Sequence, residues 1–146
     1  MKKDTKFITI NTDASISSQS ISAFAYWIKS DYETIKSSGK FKNTLIDINE
    51  GEIKSILNAL TRVTRLNYFN QIDVIVINTD SKNAINHLIR PNGSVKYKEA
   101  VDYYNQITKE IHCEIKFRHV RSHSNGKKAR DWVNNWCDKQ CRKHYK

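Results

Sequence analysis

The sequence predicts an α/β fold, a mixed β-sheet with helices packed on it. Three strand-like segments occupy the first 41 residues, and strand-like and helical segments alternate from there on. The segment Val74 to Ile77 is unbroken apolar and β-branched, the pattern of a strand covered on both faces and therefore central in its sheet. A meander followed by β-α crossovers gives a sheet with both antiparallel and parallel neighbours.

Residues 6 to 12 alternate and then run apolar, which predicts the first strand. Residues 20 to 30 and 32 to 41 predict two more, joined tightly around Ser30 and Asp31. From Asn49, read as the N-cap, the residues Ile53, Ile56, Leu57, Leu60 and Val63 fall at helical spacing for four to five turns, behind the acidic Glu50 and Glu52. A strand follows at Val74, then a short helix over SKNAINHLI after Asp80, ended by Pro91-Asn92-Gly93. A second helix is expected from Val95 to Ile111, a strand over 113 to 119, a loop over SHSNGKK, and a last helix from Ala129 to Lys143. Its apolar stripe is Trp132, Val133, Trp136, Cys137 and Cys141.

At 146 residues the chain is the size of one domain, 1–146, and one Pro and four Gly leave no stretch that reads as a linker. The longest apolar runs are strand-length, and MKKDTKF leads into a strand with no signal-peptide core, so a cytoplasmic protein with no membrane contact is expected. Cys113, Cys137 and Cys141 have no framework spacing and are expected to be reduced and partly buried; zinc on Cys137, Cys141 and His144 would lack a second ligand pair. The net charge of +10 points to a polyanionic partner. The excess is concentrated from Lys116 onward, where the basic residues face only Asp131 and Asp138.

The tetrapeptide INTD occurs twice, in FITINTDAS and VIVINTDSK, and each copy delivers an aspartate where a strand is expected to end. If the two strands are parallel neighbours, Asp13 and Asp80 lie side by side. At about 4 Å, two carboxylates repel by roughly 4 kcal/mol at an effective dielectric of 20, so a proton or a cation must relieve them. The alternative is that each aspartate only caps a turn. Glu50 and Glu52 both gain from the helix macrodipole, but Glu52 lies on the packed stripe and Glu50 points away from it. A carboxylate on a packed face is costly unless paired or metal-bound. In the last helix, Asn134 stands one turn before Asp138 and can support it, whereas Asp131 reads as a helix-start charge.

Four segments in this order, TDAS, NEGEIKSILNAL, INTDSKNAI and VRSHSNGKKARDWVNNWCDKQC, resemble the ribonuclease H family in its small form, over nearly the whole chain. The resemblance implies a ribonuclease H-like sheet of three antiparallel strands extended by two parallel ones, with helices on both faces. It implies Asp13, Glu52, Asp80 and Asp138 as ligands of two Mg²⁺ or Mn²⁺ ions, with His123 as the loop histidine that carries a proton or loosens product. A surface histidine without a role is the alternative for His123. The implied reaction is hydrolysis of the RNA strand of an RNA–DNA hybrid by a monomer. Asn49, Asn134, Lys127 and Lys128 are the residues expected to meet the hybrid, with Lys96, Lys98 and Arg130 as further candidates for holding the DNA strand. Two departures stand out: Ala14 where the family often has Gly, with ISSQSIS in place of a Gly/Pro-rich turn, and Ile48 where a second Asn often precedes Asn49. Two other readings share the fold: a DNA nuclease such as a junction resolvase, and a nucleic-acid-binding module without turnover.

Overall fold

The computed structural model of the chain describes residues 4–90, 95–120 and 129–145, the side chains of 129–134 excepted. Its elements are β1 (Phe7–Ile16), β2 (Ser22–Lys29), β3 (Thr34–Lys40), α1 (Ile48–Thr64), β4 (Val74–Thr79), α2 (Lys82–Ile89), α3 (Lys98–Lys109), β5 (Glu114–His119) and α4 (Ala129–Lys143). The five strands form one sheet in the order β3-β2-β1-β4-β5. β1, β2 and β3 are antiparallel neighbours, and β4 and β5 extend the sheet in parallel with β1. The fold expected from the sequence is the one observed.

Alternation along the strands explains why both sheet faces are covered. Ile8 and Ile10 of β1, Tyr26 and Ile28 of β2, and Ile75 and Ile77 of β4 share the face on which Ile53, Ile56, Leu57, Leu60 and Val63 of α1 pack. α3 adds Ala100, Val101 and Tyr104 to the same core. The opposite face carries Ala23, Ala25 and Trp27 against Cys137 and Cys141 of α4. Fully burying one isoleucine contributes about 1.5–3 kcal/mol, so the first face dominates the apolar stabilisation. All six β4 residues are buried, whereas β5 at the edge only half-buries one side, Ile115 and Phe117.

Two boundaries differ from expectation for physical reasons. β1 does not stop before Asp13 but runs on to Ile16, because β2 pairs with it as far as Ser22 and sets Asp13 opposite Ala25. The N-cap of α1 is Asp47 rather than Asn49: its carboxylate accepts the Glu50 N–H at 3.1 Å, the Tyr97 hydroxyl at 2.6 Å and Lys96 Nζ at 2.8 Å. The helix expected from Val95 begins at Lys98, since Lys96 and Tyr97 are drawn to that cap. The Pro91-Asn92-Gly93 breaker lies outside the described residues.

The ISSQSIS departure makes its own turn. Ser17 Oγ accepts the N–H groups of Gln19 and Ile21, and Ser20 takes a left-handed φ of 62°. Ala14 is accommodated from across the gap, where a side chain on Gly51 would stand 3.3 Å from Ala14 Cβ and 2.8 Å from a Leu45 methyl. Glycine there lets α1 press its first turn against β1.

Candidate metal centre

The doubled tetrapeptide is one structural device. The two INTD copies lie on neighbouring parallel strands in matching register, Ile10 opposite Ile77 and Asn11 opposite Asn78. The β1–β4 pairing ends there, and each strand then presents its aspartate beyond the last pair. Glu52 arrives from the first turns of α1, which Ser55 anchors by donating to the Asp13 carbonyl at 3.1 Å. Carboxylate oxygens of Asp13, Glu52 and Asp80 all lie within 4.8 Å of one another. From the opposite face, the thiols of Cys137 and Cys141 point at the carbonyls of Asn11 and Asp13 at 3.8 and 3.6 Å. These cysteines are core residues under the site, as expected.

Burial makes the cluster electrostatically unsatisfied. Asp13 and Glu52 are each 5% exposed. Burial, then the charges of Asp80 and Asp138, push the Asp13 carboxyl up to about 8 from an ordinary 3.8. Burial, then Asp13 and Asp80, push Glu52 well above the usual carboxylate range. Asp13 Oδ1 accepts the Ala14 N–H at 3.0 Å, but Glu52 Oε2 is buried with no hydrogen-bond partner among the described residues. Leaving a buried acceptor unpaired costs about 1–3 kcal/mol. An all-oxygen donor set with an orphaned carboxylate oxygen fits a hard divalent cation such as Mg²⁺ or Mn²⁺.

The remaining expected residues divide. Asp138 is within electrostatic reach of Asp13, but its oxygens are not among the three that converge; it pairs with Arg142 at 3.3 Å and its side chain is 41% exposed. Asn49 lies in the first turn of α1, where its amide donates to the Tyr97 hydroxyl at 3.4 Å. Glu50 is not among the three that converge; it is buried nonetheless, accepting the Ile46 N–H at 3.0 Å and facing Lys54 at 3.7 Å. Lys96 and Lys98 are held by Asp47 and Asp102, both at 2.8 Å. His123, Lys127, Lys128 and the side chains of Arg130 and Asn134 lie outside the described residues.

Three contributors, Asp47, Tyr97 and His119, carried no sequence signal. Asp47, Tyr97 and Lys96 join the start of α1 to the start of α3 beside the site. His119 ends β5 opposite Thr79, and its Nε2 meets the Asp80 carbonyl at 3.1 Å. Its position follows from the β4–β5 register, which the sequence alone does not set.

No family model matches this sequence, and no curated protein matches it. Solved structures do. The ribonuclease H1 of the halophilic archaeon Halobacterium salinarum NRC-1 aligns over 95% of this chain and 97% of its own, with a TM-score of 0.73 and 11% identity. An N-terminal ribonuclease H domain from Mycobacterium tuberculosis aligns over 96% and 94%, with a TM-score of 0.71 and 11% identity. LC11-RNase H1, solved in complex with an RNA/DNA hybrid, aligns over 95% and 99%, with a TM-score of 0.70 and 18% identity. Strand order, helix placement and these full-length matches together show that the chain has the ribonuclease H-like fold.

Proposed function

We propose that this protein is a ribonuclease H that hydrolyses the RNA strand of RNA–DNA hybrids with the help of two divalent ions. The observation that supports this most is the convergence of Asp13, Glu52 and Asp80 at the end of the β1–β4 ladder, buried and short of counter-charge. Asp13, Glu52 and Asp80 would hold Mg²⁺ or Mn²⁺, and Asp138 would close the set once Arg142 releases it. Such ions, when bound, activate a water and offset charge on the leaving oxygen.

The chain's own groups do the rest. Asp13 and Glu52 surrender their protons to become ligands, so metal affinity rises with pH toward the range where Asp13 ionises. His119 and Ser55 hold the backbones of Asp80 and Asp13 in place. Asn49 and Asn134 meet the RNA strand, Lys127 and Lys128 hold phosphates of the DNA strand, and His123 carries a proton or loosens product. One structural neighbour is seen with an RNA/DNA hybrid, which supports the substrate assigned here.

The test is strand-specific cleavage of hybrid, duplex RNA and duplex DNA, with and without divalent metal. Only the RNA of the hybrid is expected to be cut, and only with metal. Asp80→Asn is expected to reduce cleavage by more than the 10–100-fold that loss of a supporting contact costs, with its circular dichroism unchanged. An Asp80→Asn protein that still cleaves would remove the proposed centre. Cutting of DNA junctions alone would move the chain to another nuclease class.

A further inference from the structure

Away from the acidic cluster, a cleft of about 550 Å³ runs between α1 and the β2–β3 edge of the sheet. Asn58, Thr61 and Arg62 of α1 and its C-cap Arg65 line one wall, at the i, i+3, i+4, i+7 spacing of a single helix face. Lys40, the last residue of β3, and Phe41 and Lys42 just past it form the other wall. Phe24 and Tyr26 make the floor, with Tyr103 of α3 at the rim, 47% exposed. The Phe24 ring lies 3.0 Å from where a Gly39 side chain would begin, so glycine is what lets that ring lie against the edge strand.

The lining holds four cations and no acid. None of Lys40, Lys42, Arg62 and Arg65 forms an ion pair with an acid among the described residues. Elsewhere among the described residues Lys6, Lys54, Lys96, Lys98 and Arg142 each face a carboxylate. Uncompensated cations facing one another across aromatic rings are the pattern that takes alternating phosphates and bases. A duplex hides its base faces within its own stack, whereas a single strand offers them.

We propose that this cleft binds a single-stranded segment of nucleic acid, with phosphates on Arg62, Arg65, Lys40 and Lys42 and a base stacked on Tyr103. Its near end adjoins the metal centre: the Phe41 ring stands 3.8 Å from the Gly51 Cβ position, one residue from Glu52. The cleft is thus placed to take an unpaired strand continuing from whatever lies on the acidic cluster. Binding here does not depend on hydrolysis.

The test is fluorescence anisotropy of a labelled oligothymidylate with the full chain in chelator, where no cleavage occurs. Arg62→Ala/Arg65→Ala is expected to weaken binding about tenfold and to flatten the slope of log affinity against log salt by about 1.4, the value for two lost phosphate contacts. Lys40→Ala/Lys42→Ala is expected to act in the same direction. Tyr103→Ala is expected to cost about fivefold or more with the salt slope unchanged, because stacking carries no charge. Lys29→Ala/Lys109→Ala, which removes equal charge elsewhere, is expected to cost less than about twofold. Equal losses in groove and control variants would overturn the proposal in favour of diffuse attraction. Competition by thymidine monophosphate as strong as that by the oligomer would overturn it in favour of a nucleotide pocket.

Discussion

Two residues hold conformations or charges that their side chains resist. Ser20 sits at φ 62°, where a side chain is strained and glycine is not. Ser20→Gly is therefore expected to stabilise the protein by a few tenths to about 1 kcal/mol, read by urea titration. Asp13 is the larger case. The unfolded chain releases its proton near 3.8 and the folded chain near 8, so across that window the folded form binds more protons. Stability without metal is expected to fall as pH rises from about 4 to about 8. Asp13→Asn should remove the Asp13 share of that slope, leaving the share of Glu52, and, in chelator above pH 8, be more stable than the parent by about 1–3 kcal/mol. Thermal melts in chelator across this pH range check both statements; a pH-independent melt would show that Asp13 is not strained. Asp13 and Glu52 were legible in the sequence because a carboxylate on a strand end or packed stripe needs an explanation. His119 was not, because nothing in its own neighbours marks it as the residue that meets Asp80.

Among the elements, α1 positions the site, and its start is set from a distance. The local sequence favours Asn49 as the cap, yet Asp47 wins because Lys96 and Tyr97, far along the chain, fix its carboxylate. Burial opposes ionisation of Asp47, but those partners and the Glu50 N–H hold its carboxyl down to about 2. Asp47→Ala is expected to cost about 1–2 kcal/mol, the loss of a cap. Asn49→Ala is expected to stay within about 0.5 kcal/mol in stability while weakening hybrid binding. Equal destabilisation by both would return the cap to Asn49. The strands were easier to read than the helix starts: the β4 run and the aromatic β2 segment carry their burial in local pattern. The extension of β1 through Asp13 does not, since it depends on how far β2 pairs with it.

For the whole molecule, the order of elements in the sequence was enough to give the mixed sheet, because a meander followed by crossovers leaves few arrangements. What it did not show was the convergence of side chains, which is a property of register. That register makes a prediction: a divalent ion at about 100 times its dissociation constant should add about 2.7 kcal/mol of stability, and the gain should vanish in Asp80→Asn. Differential scanning calorimetry with Mn²⁺ checks it. Among the described residues no helix is long and apolar enough to cross a membrane. The in-register INTD pair has one more consequence, for the order in which the chain assembles. Its halves come from β1 and β4, with α1 between them, so the three oxygens meet only after the slow long-range strand pairing is complete. Sensitised terbium emission from this pocket would then time the last closure of the sheet during refolding, lagging behind the far-ultraviolet signal of the helices.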